Sequence, residues 1–389
     1  MPPLEAWEKV LINLGSAVST GELDLHLSQI ACWDCHGGDP GTDDMESAHA
    51  GLIADPSGPD TAVCGTCHTE IQDSYSGSLH FNVWGMKEMV AKRLDQPSFG
   101  SCPAEVKDGF GKECSKCHAT CGDCHISRPN PSGKGFIDSH VFKAKPHQKN
   151  QCMACHGARI GADFMGNDEE GRLPDAHFAK GKSCTSCHGA NQLHASVPED
   201  RDRYHNDSGA SCESCHDIPN VNNHHIVHWD DLSCHVCHSQ PYSNCGSCHV
   251  EEAWKTDPDY QENNPSIDFR IGLNPIPDRR FKYVTLRHAP VAPDTYDNWG
   301  EKGMATKYND YPSWKYTTPH SIRRWTERTS VPEGAGCGAN CHLGSPGGSM
   351  DNINIYLFKE YVESNWPDEV EANSEVIIDG ELPSNWWQE

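Results

Sequence analysis

The stretch CSKCHATCGDCH, residues 114–125, writes one five-residue unit twice: Cys114, Cys117 and His118, then Cys121, Cys124 and His125. Only Ala119 and Thr120 stand between the copies. The same Cys-x-x-Cys-His unit recurs along the chain as Cys32, Cys35, His36; Cys64, Cys67, His68; Cys152, Cys155, His156; and Cys184, Cys187, His188. It continues as Cys212, Cys215, His216; Cys234, Cys237, His238; and Cys245, Cys248, His249. A random arrangement of these cysteines and histidines would give the pattern roughly 0.07 times, so nine copies are a design. A tenth site, Cys337, Cys341, His342, carries one extra spacer residue. The ten sites use 20 of the 21 cysteines and leave only Cys102 over.

Two thiols three positions apart can each add across one vinyl group of a single porphyrin. The next residue then lies beneath the iron, where histidine supplies an axial nitrogen. Zinc knuckles do not need a histidine directly after every second cysteine, and ten paired knuckles give no consistent four-ligand grouping. Disulfides at this spacing are strained. On these motifs the chain resembles the multihaem c-type cytochromes over residues 32–342. The resemblance implies ten haem c groups on the named cysteines, with His36, His68, His118, His125, His156, His188, His216, His238, His249 and His342 as proximal ligands. It also implies an exported protein, because such attachment takes place outside the cytoplasm. No basic segment with an apolar core follows Met1-Pro2-Pro3, so a processed or recombinant chain is expected.

Fourteen histidines lie outside the attachment position, and methionine is scarce at eight, so histidine is expected on the second face of each iron. The preferred distal set is His26, His49, His80, His140, His147, His177, His205, His228, His288 and His320. His26, His147, His177, His205 and His228 precede a motif by five to seven residues. A short segment would thus deliver a ligand to a neighbouring haem and then the next motif. His194, His224, His225 and His235 are the expected spares.

The 389 residues carry a net charge of −25 and a mean hydropathy of −0.69. No stretch approaches the ~20 apolar residues of a membrane span. The acidic balance excludes a nucleic-acid partner, which would want a basic face. Gly, Pro, Asp, Asn and Ser fill the intervals between motifs, so the expected fold is mostly irregular and loop-rich, with short α-helices, little β and a covalent haem stack as core. A helical region is expected around residues 72–94. The chain divides into a nine-haem segment (1–250), a loop-and-strand wrap with the tenth haem (251–350) and an acidic, aromatic tail (351–389). Within that tail, INIYLF and EVIIDGEL read as strands able to dock on this chain or on a neighbour. Conventional core residues are scarce, and the porphyrins are expected to supply the apolar interior.

Seven residues separate His118 from His125, about 10 Å if helical and at most about 25 Å if extended. Adjacent irons are therefore neighbours by covalent necessity, and electron transfer is the expected function. No catalytic residues are assigned. The chain also looks like the subunits of extracellular cytochrome filaments (nanowires). Its expected partners are other electron-transfer proteins, copies of itself, or oxidised metals and other external acceptors. The expected location is extracellular or at the cell surface, otherwise periplasmic. The alternative is a multihaem reductase of nitrite, hydroxylamine or a sulfur oxyanion, which needs one haem with a vacant face. No Cys-x-x-Cys-Lys, which often marks such a haem, occurs.

Overall fold

A computed structural model describes residues 30–58, 63–138, 140–198, 203–205, 209–217, 222–245, 267–331, 333, 337–343 and 350–383. His26, Cys248, His249 and the terminal tryptophans Trp386 and Trp387 lie outside the described residues, as do the side chains of His205 and Cys337. Helix accounts for 41% and strand for 8%, a mostly helical or irregular fold with little sheet. Among the described residues no helix is long and apolar enough to cross a membrane.

Two compact units interleave along the chain: Met1–Gly85, Gly111–Gly157 and Cys184–Gly209 form one, and Met86–Phe110, Ala158–Ser183 and Ala210–Glu389 the other. The motif-based division into three consecutive segments does not coincide with these units. The first six attachment motifs fall in the first unit and the last four in the second.

The first unit is built from short helices and turns. The helical region expected around residues 72–94, which runs on into the second unit, forms as three pieces, Thr69–Ser76, Leu79–Asn82 and Trp84–Arg93. They are interrupted where Ser78 caps a new helix and Val83 takes a left-handed φ of 49°. Among its described residues the buried apolar side chains are Tyr75, Val83 and Val197. This is the scarcity of core that the sequence led us to expect.

The second unit corrects that expectation. It holds an antiparallel sheet of β3 (Arg270–Leu273), β4 (Tyr283–His288) and β5 (Trp314–Tyr316), in the order β3-β4-β5. A two-residue pair of β1 (Tyr242–Ser243) and β2 (Ile267–Asp268) accompanies it. All six residues of β4 are buried. Val236, Tyr242, Phe269, Ile271, Tyr283, Leu343, Tyr356, Ile378 and Leu382 close into one apolar cluster on this frame. The Tyr242 hydroxyl, buried at its centre, donates to the Leu286 carbonyl. Aromatic and β-branched residues here bury against one another and need no macrocycle to do so.

Residues 350–383 belong to that core. Leu357 donates its amide to the Ile271 carbonyl at 2.8 Å, Leu273 to Val376 at 2.9 Å and Ile378 to Leu357 at 3.0 Å. The expected strands do not form: Met350–Ile355 is a 3-10 helix, Tyr356 makes a single parallel bridge to Ile271, and Val376 to Ile378 pass through the core in a turn. Tertiary burial overrides β-propensity here, because single backbone rungs already satisfy the segment. Cys102, the unpaired thiol, is buried and points to the Ser98 carbonyl at 3.8 Å.

Candidate metal centres

Each attachment motif described in full folds as one tight helical turn. In three of them the histidine amide bonds back to the carbonyl four residues earlier, His68 to Cys64, His188 to Cys184 and His216 to Cys212, all at 2.9 Å, whereas His118 bonds three back, to Ser115 at 2.9 Å. That turn brings two cysteines at i and i+3 to one face, with the histidine beside them. Local chemistry assists it. In CWDCH, Asp34 accepts the Ala31 amide at 2.8 Å, and in CGDCH, Thr120 and Asp123 exchange two backbone bonds as a capping box. The capping box lets a new turn start two residues after His118.

In the tenth motif the turn begins one residue late. His342 bonds to the Gly338 carbonyl at 2.7 Å, so Gly338 takes the place that the first cysteine holds elsewhere, and Cys337 opens the 3-10 helix Cys337–Asn340 one residue ahead of it. The extra spacer is thus absorbed ahead of Cys341 and His342. A Cβ at position 338 would lie 2.7 Å from His342 Nδ1, so this register needs glycine.

Six attachment histidines each face one histidine from elsewhere in the chain. His36 faces His140 with ring centres 6.1 Å apart, His80 faces His156 at 6.2 Å and His125 faces His194 at 6.2 Å. In the second unit, His177 faces His216 at 6.1 Å, His225 faces His238 at 6.1 Å and His228 faces His342 at 6.2 Å. A metal–imidazole bond is about 2.0 Å and a ring nitrogen lies about 1.1 Å from its ring centre. Two imidazoles on opposite sides of one metal therefore have centres about 6.2 Å apart. The spacing fits an iron with histidine on both faces.

The tautomers fit as well. His36 Nδ1 donates to the Ile53 carbonyl at 2.7 Å, His125 to Lys143 at 2.7 Å and His238 to Arg323 at 3.1 Å. His177 does the same to the Asp175 carboxylate at 2.9 Å. An oxygen that only accepts fixes the proton on Nδ1 and leaves the Nε2 lone pair for a metal. His49 and His320 carry equivalent bonds, to the carbonyls of Met45 at 2.7 Å and Thr318 at 2.9 Å.

Of the distal histidines expected from sequence, His80, His140, His177 and His228 stand opposite attachment histidines. His194 and His225, set aside as spares, stand there too. His225 and His228 share the helix Asn223–His228 at i, i+3 spacing, yet they face different partners. His147 instead caps the turn Gln148–Cys152: its Nδ1 accepts the Asn150 amide at 3.2 Å, which puts the ring proton on Nε2. His288 is a correction. It is fully buried on β4, its Nε2 meets the Glu369 carboxylate at 2.8 Å, and the rings of Trp366 and Trp314 stand 4.1 and 5.0 Å away. A β4 side chain buried on the core face has no open space for a macrocycle. His235, inside its own motif, is buried enough for its pKa to be pushed down to about 3, so it stays neutral.

Thiols of different motifs also meet. Cys64 lies close enough to Cys121, Cys117 to Cys155 and Cys152 to Cys184 in the first unit, and Cys212 to Cys234 in the second, for each thiol to shift its neighbour's titration. After burial, the largest influence raising the Cys35 thiol is Cys64, and the largest raising Cys341 is Cys237. Within each unit, thiols of different motifs are therefore near neighbours. Among the described residues no cluster of three or more Cys, His, Asp or Glu side chains is arranged to hold a bare metal ion. No protein-family description matches the chain, and neither curated proteins nor solved structures offer a significant match.

Proposed function

We propose that the chain is an exported electron-transfer protein carrying ten covalent haems on the ten cysteine pairs. The observation that carries the reading is the set of six histidine pairs, each joining a motif histidine to one from outside its motif at 6.1–6.2 Å. Bound haem would supply a one-electron iron couple. The chain's own residues do the rest. The cysteines would hold each haem covalently, and the paired histidines would ligate its iron. The carbonyls of Ile53, Lys143 and Arg323 keep the ring proton away from the metal side. With both faces taken by imidazole, such a site passes electrons and does not bind substrate.

The nearness of thiols from different motifs supports conduction over isolated redox sites, since the rings attached at them would have their edges near one another. The acidic surface suits cationic or metallic partners. Assembly with copies of itself remains part of the proposal, but residues 350–383 lie in the chain's own core, so the joining surface has to come from elsewhere.

Intact mass of the holoprotein and low-temperature electron paramagnetic resonance test the reading together. Ten haems with entirely low-spin iron are expected. A protein without haem would end the proposal. Ten haems with about a tenth of the iron high-spin would point to one open coordination site and to the reductase alternative.

A further inference from the structure

Arg328 is 5% exposed, yet no carboxylate among the described residues pairs with it. Its Nε donates to the Val236 carbonyl at 2.8 Å, another guanidinium nitrogen donates to the Ser239 carbonyl, and the group lies 3.5 Å from the centre of the Phe269 ring. Of the other buried arginines, Arg270, Arg172 and Arg287 are neutralised by Asp268 and Asp163, while Arg93 lies on the helix Trp84–Arg93, apart in sequence from the motifs at Cys234 and Cys337. Among the described residues of the first unit no arginine is buried. A buried cation hydrogen-bonded only to carbonyls is costly, and although the neighbouring Glu327 charge acts on it, its field is poorly screened.

Its neighbours give that field a target. Val236 and Ser239 belong to and follow the attachment helix Cys234–His238, and the Arg328 charge acts on both the Cys237 and Cys341 thiols. Those cysteines mark the edges at which two rings would be attached. The propionates of a covalent haem sit on the opposite edge, so the acids of these two rings are not aimed at the guanidinium. One-electron reduction adds one negative charge to a haem, and a nearby fixed cation favours that state.

We infer that Arg328 is a built-in electrostatic tuner that raises the reduction potential of the two haems attached at Cys234/Cys237 and Cys337/Cys341, making them the preferred resting place for electrons in the chain. The inference rests on the haem reading above. Mediated potentiometric titration of the holoprotein, followed by absorbance, tests it. These two of ten sites should titrate in the upper fifth of the curve. Arg328→Met should lower that fifth by about tenfold in the reduction equilibrium, about 59 mV for one electron, and leave the remainder in place. Arg328→Lys keeps the charge and should keep the upper fifth where it is. An unchanged upper fifth in Arg328→Met, with ten haems and low-spin iron intact, overturns the inference. In the wild-type holoprotein the upper fifth should also hold its potential between low and high salt, whereas a surface field would be screened. A salt-dependent upper fifth overturns the inference even if both variants fail to fold. Absence of haem from the wild-type protein would instead refute the underlying reading.

Discussion

Exchange of His194 for alanine separates ligation from packing, because sequence alone set this residue aside. Its ring centre stands 6.2 Å from that of His125, with the planes 42° apart. Alanine would remove one axial nitrogen and leave the other, anchored through Lys143, in place. An iron that exchanges a strong-field nitrogen for water, or for nothing, becomes high-spin. One site among ten makes that about 10% of the iron. His80, close enough to feel the His194 charge, already faces His156, so it is not free to substitute. His288→Ala is the matched control. It should leave every iron low-spin and instead strand the Glu369 carboxylate, which would keep its Ser313 hydroxyl donor at 2.5 Å but lose the imidazole. Breaking such a buried pair costs about 3–5 kcal/mol. At about 2–4 °C per kcal/mol for a unit of this size, Tm should fall by about 6–20 °C. Electron paramagnetic resonance of both holoproteins, with calorimetry alongside, decides the matter. A fully low-spin His194→Ala protein, or a high-spin tenth in His288→Ala, would refute the pairing.

Expressed without haem attachment, the chain should keep protease-resistant fragments from residues 267–331 and 350–383 and lose 30–58 and 111–138. A digest that cuts both alike would show that the sheet core does not stand alone. Truncation after Met350 removes Tyr356, Leu357, Val362 and Ile378, all at most 2% exposed. At about 2–5 kcal/mol each, their loss sums to about 8–20 kcal/mol, comparable to or above a typical total stability of about 5–15 kcal/mol, so circular dichroism should show the second unit unfolded. Gly338→Ala should keep ten haems by mass but displace the His342 ring, giving about a tenth of the iron high-spin. An entirely low-spin spectrum would mean that the late turn tolerates a side chain.

What the sequence made legible is what covalent spacing dictates. Cys-x-x-Cys-His itself designates the cysteines and histidine on which the proposal rests, because i, i+3 and i+4 share a face of one turn. The opposite histidines answer to long-range folding. His36 and His140 are 104 residues apart and His228 and His342 are 114 apart, and no local pattern records such pairings. The rule that a histidine just ahead of a motif serves a neighbour does point to His177 and His228. It misses that each skips the next motif: His177 faces His216 and not His188, and His228 faces His342 and not His238. His288 misled because a histidine in an otherwise apolar strand reads the same whether it meets a metal or a buried carboxylate. Glu369, its partner 81 residues later, lies in a segment that reads as an acidic tail. The core was missed for the same reason: β3, β4 and residues 350–383 are each short, and only together do they enclose an interior.

The doubled motif at residues 114–125 acquires a role once the thiol contacts are followed. Its two halves do not lean on the same neighbour. Cys117 meets Cys155, whereas Cys121 meets Cys64. The capping box of Thr120 and Asp123 makes this possible by ending one turn and starting another within two residues. Adding the mutual influence of Cys152 and Cys184 and that of Cys64 on Cys35 links all six motifs of the first unit as successive neighbours. They run in the order His36, His68, His125, His118, His156, His188, and the only step made by the backbone alone is the one inside the doubled motif. Every other step depends on distant segments folding against each other, in a unit whose described residues bury only three apolar side chains. A row so arranged needs one covalent link to set its register, and the middle is where such a link constrains both halves at once. The second unit solves the same problem differently. Its motifs at His216, His238 and His342 are held by a sheet and a buried tail, so a polypeptide frame does there what the doubled motif does in the first unit.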